Sequence, residues 1–360
     1  MVPHTSNAPT HLRATIGVKL HQQVEPASTL GTVLSAETKS TEAATLAQTT
    51  VTQTEHRTWA VYSGLVLTMF IWGLAWPVGR ALEIANLPPV SIAALRYAIV
   101  LPILFTILWV REKAFRIKRS WILTLVIMGV LNTTLYQIFF LYGVKYAAAS
   151  DDSLVIGFGP VLIAILASFV LKEHLSATKI LGFASGLAGI ITISLFSPNT
   201  GVQYSNRLLG VTLVFGGATA YALYTILLRR FIAANHNENH SSQPSSLSIL
   251  SWISLFGFLF FIPFSLLEAP WNYTWNAAAW EGIIYLAILS TVVGYFLYIE
   301  GISKIGAGRS AIFGNLVPVF GVLTSYLLLG ENLSPWTAVS FLLILAGVLL
   351  VNRKPKSSGS

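Results

Sequence analysis

The side chains that could do chemistry in this sequence are polar groups inside long apolar stretches. Asn132 and Tyr136 are four residues apart, so a helix would place both on one face, next to Gln137. Because a polar group in a membrane costs free energy, each of them is a candidate for function. Further candidates of the same kind are Trp72, Trp76, Arg96, Tyr221, Tyr295 and Asn315.

Together these nine residues predict a substrate-binding cavity with aromatic walls and a few hydrogen-bonding groups, which is typical of small-molecule pockets. The alternative is a structural role, because polar side chains also hold membrane helices together. Arg96 could pair with an anionic group of a substrate, such as a carboxylate. It could equally extend to the membrane interface or bind carbonyl groups of a neighbouring helix.

Two acidic residues and two prolines form a second set of candidates. Asp151 and Asp152 lie one turn into the fourth apolar stretch. At an outer vestibule they could attract cations or hold a coupling proton, although acidic residues are also favourable in any first helical turn. Pro160 and Pro318 each free a backbone carbonyl in mid-helix, so they predict bends that could act in gating.

The sequence lacks common catalytic motifs. No G-x-x-x-x-G-K-[ST], H-E-x-x-H or G-x-S-x-G occurs, and the chain has no cysteine. His236 and His240 lie in a polar stretch, where we expect them to be solvated. The sequence therefore predicts that the protein is not an enzyme and binds no cofactor and no metal.

Composition indicates a membrane protein. Hydrophobic residues make up 54% of the chain and charged residues only 10%, whereas soluble domains carry roughly 25% charged residues. The mean hydropathy is +0.68. The net charge of +8 comes from basic residues at the ends of apolar stretches. A nucleic-acid binder would instead gather them on one exposed face, so we expect no nucleic-acid partner.

Ten apolar stretches of membrane-spanning length follow one another after residue 58, which predicts an all-α integral membrane fold. They cover residues 59–80, 90–110, 121–142, 147–171, 178–196, 207–228, 247–267, 282–303, 307–330 and 336–351.

The basic residues predict the orientation in the plasma or inner membrane. With ten spans, the side that holds both termini carries fifteen Lys and Arg residues near the span ends, and the other side carries three, namely Arg80, Lys145 and Arg207. Cytoplasmic loops are rich in Lys and Arg. Both termini should therefore be cytoplasmic, with residues 81–89 and 197–206 outside.

The chain contains an internal repeat. At an offset of 158 residues, Pro160 aligns with Pro318, Glu173 with Glu331, and Leu175-Ser176 with Leu333-Ser334. Both copies read P-x12-E-x-L-S. Since each copy holds five spans, the second must run inverted in the membrane. Two inverted five-helix repeats are typical of secondary transporters that work by alternating access.

The doubled motif resembles the drug/metabolite transporter superfamily, in particular proteins with two EamA domains. Trp72-Gly73 followed by Arg80, and Arg96 within the sequence AALRYA, are also similar to that family. The resemblance covers residues 59–353. It implies a transporter, and we expect an exporter of amino acids or related small metabolites and drugs. An exchanger of phosphorylated or sugar-nucleotide solutes is the alternative. A membrane-embedded enzyme or a non-transporting scaffold would be alternatives of another class.

The domain organisation follows from these patterns. We expect a disordered tail at 1–57, EamA repeats at 58–196 and 207–353, and a C-terminal tail at 354–360. Besides a small-molecule substrate, membrane lipid is the expected partner. Gly182-x-x-x-Gly186 would permit close helix packing, either inside the fold or in a homodimer. Ser176 and Ser334 should cap the helices that follow them.

Overall fold

A computed structural model describes residues 59–115, 117–170, 176–196, 206–235, 244–305, 310 and 312–352, and the regular secondary structure in these residues is helical. We number the principal helices in chain order: α1 Trp59–Ile84, α2 Pro89–Glu112, α3 Arg119–Tyr146, α4 Ala149–Val170, α5 Ala177–Phe196, α6 Arg207–Asn235, α7 Ser246–Leu267, α8 Ala277–Ile305, α9 Leu316–Leu329 and α10 Pro335–Val351.

The first eight of these helices are long and apolar enough to cross a membrane, whereas α9 and α10 are shorter apolar helices. The all-helical, multi-pass membrane architecture is therefore confirmed. The number of ten spans stays a prediction, as does the assignment of 1–57 and 354–360 as tails, since those segments lie outside the described residues.

The helix pairs α3/α8 and α4/α9 show the internal repeat in their irregularities. A π-helical segment interrupts α3 at Val130–Leu135, and another interrupts α8 at Tyr285–Val293, close to the 158-residue offset. A turn at residues 157–158 divides α4, and a turn at 314–315 precedes α9. Each turn lies just before Pro160 or Pro318, because proline disfavours helical backbone in the preceding residues.

At several helix ends, a carboxylate of one repeat accepts hydrogen bonds from the other repeat. Glu268, which follows α7, accepts hydrogen bonds from the backbone N–H groups of Val90 and Ser91 at 3.1 and 2.7 Å, and so caps α2. In the reciprocal position, Glu112 at the end of α2 accepts from the hydroxyl of Ser245, the N-cap of α7. Such caps satisfy groups that have no partner within their own helix.

The repeated motif supplies a second carboxylate that caps a helix. Glu331 accepts from the N–H groups of Ala149 and Ser150 at 2.9 and 3.0 Å, at the start of α4. Ser176 and Ser334 accept from the third residue after them, which confirms them as caps of α5 and α10. Glu173, the equivalent of Glu331, lies outside the described residues.

Glycines allow α5 and α10 to approach closely. A Cβ on Gly182 would lie 2.7 Å from the carbonyl oxygen of Gly347, and a Cβ on Gly186 would overlap the ring of Phe158. The Gly182-x-x-x-Gly186 motif therefore serves packing inside this fold.

Candidate functional site

A cavity of about 250 Å³ lies among the helices that carry the irregularities. Its lining includes the prolines and turns of α4 and α9, so the broken helices face the cavity, as they do in many transporters. The residues of the two turn regions that line it are Gly157, Gly159, Pro160, Gly314, Asn315 and Pro318.

Aromatic side chains form much of the wall. The lining rings are Trp72, Trp76, Tyr136, Phe140, Tyr221, Tyr295 and Tyr298. They also contact one another, since the ring centroids of Trp72 and Tyr295 are 5.4 Å apart and those of Trp76 and Phe140 are 4.7 Å apart. Such edge-to-face and tilted pairs stabilise each other, so the wall is largely preformed.

Trp72 is fixed by a contact that only glycine permits. Its indole Nε1 donates to the carbonyl oxygen of Ser290 at 2.9 Å. A Cβ on Gly294 would lie 2.6 Å from that nitrogen, so any larger residue there would displace the indole.

Arg96 is the charged residue among the described residues that line the cavity. It is only 6% exposed. Its Nε and Nη2 donate to Thr291 Oγ1 at 3.0 and 2.7 Å, and its Nη1 donates to Gln137 Oε1 at 2.9 Å. Both acceptors are neutral, and no ion pair joins Arg96 to a carboxylate in the described part of the chain. The positive charge is thus held in position but not neutralised.

The π-helical segments place the two acceptors. Thr291 lies within the second segment, where its hydroxyl also donates to the carbonyl oxygen of Leu286, and Gln137 lies two residues after the end of the first. Each extra residue in a π-turn rotates the following side chains relative to a regular α-helix, and such segments are frequent at functional sites. Arg96 is therefore bound by a residue of each repeat, in or next to its π-helical segment.

The structure brings most of the predicted site together. The predicted residues that line the cavity are Trp72, Trp76, Arg96, Tyr136, Gln137, Tyr221, Tyr295, Asn315, Pro160 and Pro318. Asn132, which we expected on this surface beside Tyr136, is buried and is not among the lining residues. It lies inside the first π-helical segment, where the four-residue spacing of an α-helix does not apply.

Asp151 and Asp152 are also placed differently from the expected open vestibule. They are 1% and 0% exposed, at the start of α4 and outside the cavity lining. Asp151 pairs with Arg207 at 2.6 Å. Both carboxylate oxygens of Asp152 are buried without a hydrogen-bond partner in the described structure.

Sequence reasoning missed Thr291 and Ser290, which have no motif around them. Threonine in an apolar helix commonly bonds to its own backbone, so its type alone gives no signal. The repeat offset does give a signal for this region, since Thr291 aligns with Thr133 and Tyr295 aligns with the site candidate Gln137. Among the described residues, no group of three or more His, Asp or Glu side chains is arranged to hold a metal ion.

The fold is that of a multi-pass membrane protein with two related halves and a cavity lined by residues of both. The model of the EamA-like transporter family matches residues 59–195 and 208–353, so the chain belongs to this family.

The chain is similar over most of its length to curated transporters of bacteria. The uncharacterised transporter YetK of Bacillus subtilis is 28% identical over 82% of this chain and 87% of its own length. A probable amino-acid metabolite efflux pump of Salmonella typhimurium is 26% identical over 79% of this chain and 92% of its own length. A solved crystal structure with 19% identity matches 81% of this chain and 96% of its own with a TM-score of 0.52, which shows the fold alone.

Proposed function

We propose that this protein is a secondary transporter that exports amino acids or related small metabolites by alternating access. The observation that supports this substrate class best is Arg96, a buried cation that is oriented by Thr291 and Gln137 but faces the cavity without an anionic partner. A buried charge is strongly unfavourable unless it is paired. A carboxylate on the substrate would supply the missing partner.

The remaining wall suits the rest of an amino acid. No Asp or Glu lines the cavity among the described residues, so an ammonium group would have to contact aromatic faces. Cations bind such faces by attraction to the ring quadrupole. The same rings would bury an apolar side chain, and Asn315 and Gln137 would add hydrogen bonds.

Size and charge disfavour the alternative of phosphorylated or sugar-nucleotide solutes. The cavity volume of about 250 Å³ is just below the range of roughly 300–1,000 Å³ that is usual for ligand pockets. One arginine is also little positive charge for a phosphate group. The Salmonella typhimurium and Escherichia coli relatives are both named probable amino-acid metabolite efflux pumps, which agrees with the smaller substrate.

Transport in reconstituted liposomes tests the proposal. Purified protein should exchange labelled L-amino acids across a sealed bilayer, and the corresponding amino-acid amides, which lack the carboxylate, should compete poorly. A hydrogen bond to a charged group is worth about 1.5–3 kcal/mol. Arg96→Gln should therefore weaken binding of the amino acid roughly 10- to 150-fold, and the preference over the amide should disappear.

Arg229→Gln is the matched control, because Arg229 is an exposed arginine of α6 outside the cavity. It should transport as the wild type does. Equal competition by acids and amides in the wild type would contradict the role of Arg96. Absence of exchange with any labelled amino acid would contradict the substrate class.

We also propose that both termini are cytoplasmic, in a plasma or inner membrane, which the distribution of basic residues supports. Asn86 and Lys113 are both exposed and lie at opposite ends of α2. In this chain without cysteines, a cysteine at Asn86 should react with an impermeant maleimide in intact cells, and one at Lys113 should not. The reverse pattern would invert the topology.

A further inference from the structure

The wall of the cavity has parts of different chemistry. Arg96 is held by Gln137 of α3 and Thr291 of α8, so a substrate carboxylate would bind next to these helices. The residues that α4 contributes to the lining have no polar side chain, and they are Ile156, Gly157, Gly159, Pro160 and Ile163. In an amino acid whose carboxylate is bound at Arg96, the side chain is the group left to contact this apolar part.

Two glycines in the broken region of α4 have different surroundings. A Cβ on Gly157 would lie 2.8 Å from Cγ of Pro318 and 3.0 Å from the carbonyl oxygen of Leu154, so this glycine is needed for the α4–α9 contact. A Cβ on Gly159 would meet no atom of the described residues within 4 Å, apart from its chain neighbours and its own helix backbone. Because Gly159 lines the cavity, its missing side chain leaves open space there.

Ile163 borders the same space. It lies four residues after Gly159 in the second part of α4, Gly159–Val170, so both residues are on one helical face. Ile163 is half-buried and lines the cavity. An apolar group in this space would be removed from water against an apolar surface, which is favourable. A polar group would find no hydrogen-bonding side chain on this face, which is costly.

From this arrangement we infer that the space next to Gly159 is the subsite for an apolar side chain of the substrate. The absence of a side chain at Gly159 sets the largest group that the subsite accepts. The inference rests on the proposed function, because it takes the substrate to be an amino acid with its carboxylate at Arg96. It adds the class of side chain and the residue that selects its size.

A homologous series of amino acids tests the subsite in liposomes. L-Alanine, L-2-aminobutyrate, L-norvaline and L-norleucine differ by one methylene each and should compete with the exchange of labelled L-norvaline. Each methylene that is buried should improve competition by the wild type roughly fourfold, until the cavity is full. L-Asparagine, which is similar in size to norvaline but polar, should compete poorly.

Two variants should change the size preference in opposite directions. Gly159→Ala places a methyl group in the open space, and should lower the preference for norvaline over alanine roughly 10- to 200-fold. Ile163→Ala enlarges the space and should move the best competitor toward a longer side chain. Both preferences are ratios measured in one protein sample, so a smaller amount of folded protein does not change them.

Ile165→Ala is the matched control. Ile165 lies on the same helix as Ile163 and is also half-buried, but it is not among the lining residues. The control removes the same atoms and should keep the wild-type order of competitors and their ratios.

Wild-type ratios in an exchanging Gly159→Ala variant would overturn the inference and leave the proposed function standing. If Gly159→Ala yields no folded protein, an unchanged preference in Ile163→Ala overturns it instead. Asparagine that competes as well as norvaline would contradict the apolar character of the subsite, and a shift in Ile165→Ala would contradict its position. If the wild type exchanges no labelled amino acid, the proposed function and this inference both fail.

Discussion

The central cavity and the end of the bundle around Glu331 both bury charged side chains, but these side chains have different partners in the two regions. In the cavity, Arg96 has two neutral acceptors and faces space that a ligand can occupy. At the Glu331 end, charges are bound to backbone groups or to each other, and Asp152 alone among the acidic residues of α4 is left without a donor.

The two regions should therefore respond to different changes. A preoriented but uncompensated cation next to empty space favours an anionic ligand. A packed cluster in which one carboxylate has no donor can respond by changing its protonation or by coming apart. Substitutions in the cavity should therefore change affinity, whereas substitutions at the Glu331 end should change stability.

The largest effect is expected for Glu331→Ala. It removes the acceptor of two buried N–H groups at the start of α4. Each hydrogen bond to a charged group is worth about 1.5–3 kcal/mol, so the free energy of unfolding should fall by about 3–6 kcal/mol. Thermal or SDS-induced unfolding of the purified protein measures this. Ser334→Ala, which removes an ordinary cap, should cost about 0.5–2 kcal/mol. Equal losses of unfolding free energy would mean that the Glu331 cap stabilises the fold no more than a serine cap does.

The adjacent acidic residues should respond in opposite ways. Asp151→Asn breaks a buried ion pair with Arg207 and should destabilise the protein by about 3–5 kcal/mol. Asp152→Asn removes a charge that has no donor, so it should leave the melting temperature unchanged or raise it. If Asp152→Asn is the more destabilising variant in the same unfolding assay, the contrast between the two residues does not hold.

Two glycines allow the packed α4–α9 contact to be compared with the cavity wall. Gly321→Ala would force a methyl group against Ser153 at the α4–α9 contact and should cost about 1–3 kcal/mol. Gly159 lines the cavity, and a Cβ there meets nothing within 4 Å. Gly159→Ala should therefore not lower the melting temperature. A larger loss for Gly159→Ala would show that the cavity wall is the less tolerant region.

The smallest effect should appear inside the cavity. Tyr136→Phe removes one hydroxyl from the lining, and loss of a hydrogen bond to a neutral group costs about 0.5–1.5 kcal/mol. Substrate affinity in liposomes should fall roughly two- to twelvefold, with the melting temperature unchanged. Asn132→Leu is the comparison variant, because Asn132 is buried outside the lining. It should alter stability and leave affinity intact, and the opposite result would return Asn132 to the site.

The sequence predicted local features well because they depend on neighbouring residues. Apolar length and the scarcity of charges indicated the helices. Pro160 and Pro318 marked the breaks before them, and Ser334 marked the start of α10, since proline and capping residues act on the backbone within a few positions. Ten of the eleven substrate-binding and gating candidates line one cavity, in part because polar residues in apolar spans rarely face lipid.

An all-helical membrane chain made of two related halves, with a defined set of candidate site residues, could thus be inferred from the amino-acid order. Which of those residues meet depends on the packing of helices that are distant in sequence. Arg96 bonds Thr291, 195 residues away, and Trp72 bonds Ser290, 218 residues away. For the same reason the sequence did not show that Asn132 lies outside the cavity lining or that Asp152 has no donor. Whether a side chain faces a cavity, a partner or neither depends on the rotation of its helix, which π-helical segments and packing against distant helices set together.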